Sequence, residues 1–397
     1  MKKQNTENTT STEQPPTAGT QALVGHPVIR PPYELNDHLE DLIAIDECDD
    51  SVFSFFLDIR EWSEVENQLR DLGKRLEFGL HSNEKQELYR IEADILSLLG
   101  RGLDESYQGL VVHVRGGDEP FFRVIGFHLP LRPQVIADRS PHIVPLIELR
   151  DTYDRYVVLI SDEKKARIVE IVLGTVTREA WLARPDLRKR VGREWTREHY
   201  QNHRQDRDRR FIQEKIDLLG ELMEKGGHSH LVLAGQKNRI AAIKSELPER
   251  LRNRIIDIRR LGVNDPQEKV VQETIQAFVE EESRESIFNL ERLRTMLLRG
   301  SGAVVGLDAC EATIKAGAVD TLIVASSGEE HTQRLKAYRH RTPDGAYSTV
   351  SKRIEGLLEV ALAQDIPIEF VPRGSFLDDY MGCGAILRYR GAEHIAY

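Results

Sequence analysis

The chain has 397 residues, 40% of them apolar and 30% charged, which suits a globular protein of two to three ordinary cores. Its 55 basic and 65 acidic residues leave a net charge of −10, arguing against a general nucleic-acid coat while allowing a local basic patch. No apolar run reaches the ~18 residues of a membrane span, the opening MKKQNTENTTSTEQPP lacks a secretory core, and three scattered cysteines, Cys48, Cys310 and Cys383, argue against a disulfide framework or a Cys-based zinc site, so the chain reads as cytoplasmic.

Residues 1–28 are rich in Thr, Gln, Glu and Pro, and read as a disordered tail. An N-terminal α+β domain is expected over 29–149. VFSFFLDI, from Val52, has the apolar and aromatic content of a buried strand. Trp62 to Leu99 has helical periodicity, split near Gly79 and Ser82. LVVHV from Leu110 and FFRVIGF from Phe121 predict a hairpin. The Pro-rich stretch from Pro130 to Pro145 reads as an extended connector.

A central domain is expected over 150–288. YVVLIS from Tyr156 and ARIVEIVLG from Ala166 make another hairpin. A polar stretch runs from Ala183 to Arg210, with a helix from about Arg207 to Glu224. LVLAG, Leu231 to Gly235, is a short buried strand with a helix close behind it, so an α/β layer is predicted. A long helix from about Gln267 to Arg299 leads into a third domain, 289–397. There AVVG, a helix ending at Gly317, TLIVAS, a helix over about 350–364, PIEFV and AILRY predict a small α/β sandwich.

Four segments carry a resemblance. They are YVVLISDEKKARIVEIVLGTV, LVLAGQKNRI, GLDACEATIKAGAVDTLIVAS and GCGAILRY, joined by VFSFFLDIREW and LVVHVRGGDEPFFRVIGF in the first domain. In this order the chain resembles the bacterial archaeo-eukaryotic release factor family, an offshoot of the class-1 release factor and Pelota superfamily. The wider superfamily includes Balon, a bacterial hibernation factor that occupies vacant A sites beside an elongation-factor GTPase. The resemblance implies an α/β fold of three domains. A central RNase H-like or Rossmannoid α/β domain and a C-terminal L7Ae-like α/β sandwich follow the α+β domain. It implies a protein that enters the A site of the bacterial ribosome, contacts ribosomal RNA and meets a translational GTPase.

The superfamily's release factors carry Gly-Gly-Gln in the loop after the first central hairpin, where the Gln places a water at the peptidyl-tRNA ester. The corresponding loop here has Gly192 followed by Arg193, Glu194 and Trp195. Gly226 and Gly227 precede His228, and Gly235 precedes Gln236, both at other places. No Gly-Gly-Gln occurs, so peptide release is not expected and no catalytic residue is assigned. The alternative is a peptidyl-tRNA hydrolase or tRNA-end nuclease, with Glu194 or His199 placing the water.

Residues 184–210 hold ten basic residues against five acidic ones, a local inversion of the chain's sign. Arg188, Lys189, Arg190, Arg193, Arg197 and Arg204 suit phosphate oxygens. Trp195 and Tyr200 suit stacking on bases, with His199 and His203 as further donors. The competing reading is a solvated helix face with i,i+4 ion pairs. His199 and His203 share a helix face, but two ligands do not make a zinc site. Asp162 and Glu170 lie where a two-metal nuclease keeps carboxylates, yet no third or fourth member is visible. The turn after LVLAG is not a P-loop. Arg334, Lys336, Arg339 and Arg341 in the third domain are candidate partner contacts. No cofactor or metal is expected, and the chain is expected to act as a monomer without a membrane.

Overall fold

The computed structural model describes residues 27–117, 119–184, 197–326, 336–339 and 346–389, with backbone alone for Trp62 and residues 197–205, 336–339 and 346–351. Almost all of the expected tail thus lies outside the described residues. The chain is a mixed α/β fold of three layers, as anticipated.

The first layer holds β1 (Ile29–Arg30), α1 (Leu35–Ile43), β2 (Val52–Asp58), α2 (Trp62–Glu77), α3 (Ser82–Gly100), β3 (Gly109–Arg115), β4 (Phe121–Phe127), β5 (Gln134–Asp138) and α4 (Val144–Thr152). The second holds β6 (Tyr156–Ser161), β7 (Lys165–Val172), β8 (Thr175–Ala183), α5 (Arg197–Gly226), β9 (His230–Gly235), α6 (Lys237–Glu246), α7 (Glu249–Arg252) and β10 (Ile255–Arg259). The long helix α8 (Gln267–Leu298) leads to β11 (Ala303–Val305), α9 (Leu307–Lys315), β12 (Val319–Ala325), β13 (Lys336–Arg339), α10 (Ala346–Ala363), β14 (Ile368–Val371) and β15 (Cys383–Leu387).

Three sheets result. The first runs β1-β4-β3-β2-β5-β13, the second β10-β9-β6-β7-β8 and the third β11-β15-β12-β14. In the second sheet β6, β7 and β8 form an antiparallel meander, while β9 pairs parallel to β6 and β10 parallel to β9. β13 leaves the third layer in sequence and pairs parallel with β5 of the first.

The first sheet is buried on both faces. Phe53, Phe55 and Leu57 of β2 pack with the α2 stripe Val65, Leu69, Leu72 and Leu76, which recurs at helical spacing. Phe56, on the opposite face, joins a core shared with the third layer, including Leu307, Leu322, Leu358 and Phe370. A polar seam crosses this junction. Glu355 of α10 accepts the Ile143 N–H at 2.9 Å and lies 3.1 Å from His142 Nδ1. His113 of β3 bonds the His142 carbonyl at 3.2 Å, and its ring lies 5.9 Å from that of His38 on α1. Cys310 and Cys383 are buried in the same core, as small apolar groups would be.

Several expectations change. The extended connector holds β5 and ends in α4. β8 extends the central hairpin to three strands; as an edge strand it is half-exposed, so TVTREAWLA lacks a continuous apolar signal. α5 starts at Arg197 rather than about Arg207, because the polar sequence there has helix formers but no buried stripe to mark it. α10 likewise starts at Ala346 rather than about 350. Among the described residues no helix is long and apolar enough to cross a membrane.

Candidate nucleic-acid interface

The Arg-rich segment leaves the second layer after β8 and returns through α5, so its two ends meet at the rim of the second sheet where β6 and β9 end. That rim is built around the last residues of the two strands, where Ser161 and Gly235 are register partners. Gly235 has φ +137°, and a Cβ there would come within 2.2 Å of the Ser161 carbonyl oxygen. Only glycine fits this close approach of two strands. α6 starts immediately afterwards, with Gln236 at its N-cap.

Ser161 is fully buried and accepts a 2.7 Å hydrogen bond from Lys215 Nζ of α5. The Lys215 ammonium also sits 3.9 Å from the centre of the Phe211 ring. Burial, helped by Arg239, holds the Lys215 pKa down to about 8. The Ser161 hydroxyl donates to the Asp162 carbonyl at 3.3 Å. Asp162 in turn accepts the Lys164 and Lys165 N–H groups at 2.7 and 2.6 Å, closing the turn into β7.

An ion-pair network continues from this turn to the segment's two ends. The Arg184 N–H donates to the Lys164 carbonyl at 2.7 Å, and its guanidinium pairs with Asp208 of α5. Asp208 also faces Arg239 of α6 at 3.6 Å, and Arg239 reaches Glu163 at 3.1 Å. Arg184 and Asp208 therefore fasten the outgoing and returning chain to each other and to the sheet. Arg209 and Arg210 are exposed beside them. The rim offers a fixed base beneath a segment of net positive charge, an arrangement suited to phosphate.

Arg188, Lys189, Arg190, Arg193 and Trp195 lie outside the described residues. Arg197, His199, Tyr200, His203 and Arg204 fall on the first turns of α5, where the backbone alone is described. His199 and His203 stand four apart there and share one face. Arg334 and Arg341 lie outside the described residues; Lys336 and Arg339 begin and end β13.

Asp162 and Glu170 do not converge, since Glu170 is paired with Val157 at the far end of β6. Glu170 is buried against His228, 2.7 Å away, and accepts from the Thr177 hydroxyl at 3.0 Å. Burial keeps the His228 pKa below its usual value. Both carboxylates serve the hairpin. The sequence reading missed Ser161, Lys215, Asp208 and Arg239 as the base of the segment. Lys215 left a signal, for it interrupts the apolar row Phe211, Leu219 and Met223 at four-residue spacing.

Residues 141–279 match the model of bacterial archaeo-eukaryotic release factor family 10. Over this span, about a third of the chain, it is similar to the bacterial archaeo-eukaryotic release factors. The matched span holds α4, the second sheet with the rim just described, and the first part of α8. The chain is also similar to solved structures. Dom34 of S. cerevisiae, described as a termination-like factor interacting with Hbs1, is 9% identical, with TM-score 0.41 over 72% of this chain and 81% of that one. Archaeoglobus fulgidus Pelota is 16% identical, with TM-score 0.30 over 71% and 79%. A model of ribosome-bound archaeal Pelota and ABCE1 gives 13% identity and TM-score 0.39 over 91% and 96%. At these values the structural likenesses carry no inference about activity. No curated protein matches.

Proposed function

We propose that this release factor-like chain is a ribosome-binding translation factor that occupies the A site without releasing peptide, in hibernation or rescue. The division at 29–149, 150–288 and 289–397 belongs to this reading, as do ribosomal RNA and an elongation-factor GTPase as partners. The observation that carries it is the Arg184–Asp208 pair beneath the Arg-rich segment. The pair joins the two ends of a segment whose sequence holds ten basic residues in a net-acidic chain. This is the loop in which the resemblance would place Gly-Gly-Gln. The arginines bind phosphate, Trp195 and Tyr200 stack on bases, and occupancy excludes tRNA. Arg334, Lys336, Arg339 and Arg341 meet the GTPase or the RNA beside it.

Co-sedimentation with vacant ribosomes across a salt series tests this. The wild type is expected to pellet at low salt and to leave steeply as salt rises. Changing Arg188, Lys189, Arg190 and Arg193 together to Ala removes about four phosphate contacts, which weakens binding and makes the salt dependence shallower. Neither protein releases peptide from peptidyl-tRNA at saturating occupancy. If the wild type does not pellet at low salt, with or without an elongation-factor GTPase, the proposal fails.

A further inference from the structure

On α8, Glu282 and Glu285 stand three residues apart and so share a face. His230, the first residue of β9, lies between them and is 4% exposed. Its Nδ1 is 3.4 Å from Glu282 Oε1 and its Nε2 is 3.3 Å from Glu285 Oε1. One ligand atom from each residue lies within 4.8 Å of the other two. Among the described residues, no other group of His, Cys, Asp and Glu is so arranged. The imidazole is held from the side by the Phe278 ring, 5.3 Å away and edge-on, and Phe278 itself stacks on Tyr156 at 4.7 Å.

The surroundings are unusually negative. Asp151, Asp154 and Glu369 add their charges to the field at Glu282. Two of these are already engaged. Glu369 accepts from Ser286 and Asn289 at 2.6 and 2.9 Å, and Asp151 accepts the Phe370 N–H at 2.9 Å. Glu282 has no such donor among the described residues; the His230 ring lies beside it, 3.4 Å away. Burial and the neighbouring carboxylates push the Glu282 pKa up to about 9. Glu282 and Glu369 also line a cavity of about 390 Å³ with Arg150 and Arg155.

We propose that His230, Glu282 and Glu285 bind a divalent transition-metal ion, for which Zn²⁺ is the probe. One imidazole and two carboxylates form a zinc-type donor set, and three protein ligands leave a position for water. The hard, oxygen-preferring Mg²⁺ is a poorer fit to the imidazole. Ser229 Oγ lies 2.8 Å from His230 Nδ1. With Nδ1–H given to that hydroxyl, Nε2 is the ligand atom, and the outer hydrogen bond fixes the tautomer. To complete the set, Glu282 has to turn its carboxylate from the Nδ1 side of the ring toward Nε2. The ion would cross-link the start of β9 to the middle of α8. This assignment is independent of ribosome binding.

The test uses the full chain, stripped with a chelator and titrated with Zn²⁺ in a calorimeter. One saturable site is expected, with a melting temperature that rises until the site is full. Glu285→Gln weakens binding by about tenfold or more, and His230→Ala removes it. Glu285 is about half-exposed, so its variant keeps the fold and decides the matter even if the histidine variant does not fold. Co²⁺ should give a ligand-field band in the visible without the thiolate charge-transfer band that binding at Cys48 would bring. Three results would each overturn the site: no saturable binding, equal binding by wild type and Glu285→Gln, or a thiolate band. His230 would then be a ring bonded to Ser229 and Glu285, with Glu282 beside it, and nothing more.

Discussion

Gly235 occupies a backbone conformation that side chains rarely adopt, at the point where two parallel strands end together. Its neighbour in that contact is a carbonyl oxygen, which cannot move aside as a flexible side chain can. Gly235→Ala therefore adds a steric overlap to a conformational cost of about 1–3 kcal/mol. A drop in the urea midpoint of at least that size is expected, with an unchanged slope. A neutral result would show that the Ser161–Gly235 approach is looser than described. Such residues were only partly readable in advance. The Gly235 turn could be seen, because a glycine between an apolar strand and a helix is a local signal. The Ser161–Lys215 bond could not, because it joins residues far apart in the chain.

At the scale of elements, α1 rests on the first sheet through two buried histidines. Burial holds the His38 pKa down to about 3 and that of His113 down to about 4, from an ordinary 6.5. Both rings are neutral in the folded protein, while the unfolded chain takes up protons below its own pKa. Stability is therefore full above about pH 6.5 and falls as the pH drops through 6.5 toward 4 and then 3. Urea midpoints at pH 7 and pH 5 should show this loss, and His38→Leu should make it smaller. An equal loss in both proteins would place the acid sensitivity elsewhere. Elements with one strong face were legible in the sequence. α2 and α3, the β3–β4 hairpin, β9 and α8 appear where periodicity put them. Short or half-polar elements were not. α1, α4 and β8 owe their form to neighbours distant in sequence, and the start of α5 has no apolar stripe to announce it. The candidate interface was legible as a run of charge, but its anchoring by Asp208 and Arg239 required the tertiary arrangement.

For the whole molecule, the shared core of the first and third layers sets how the protein comes apart. Leu358 of α10 is fully buried in that core, together with Phe56 and Ile125 of the first sheet. Leu358→Ala should cost about 2–5 kcal/mol. Hydrogen exchange should then quicken in β2 and β3 by the same factor as in β12. Faster exchange in third-layer peptides alone would mean that the layers open separately. α8 raises a different matter. It runs for 32 residues, about 48 Å of continuous helix. Val270, Thr274 and Phe278 are buried near its start and Leu293 near its far end. A helix of this kind keeps angular phase over its whole length. One residue inserted between Phe278 and Leu293 would advance everything beyond it by about 1.5 Å and turn it by about 100°. The two buried faces could then no longer be seated together. Length variation in this stretch is thus closed to the chain in single steps, whereas substitutions on the helix's outer face remain open to it.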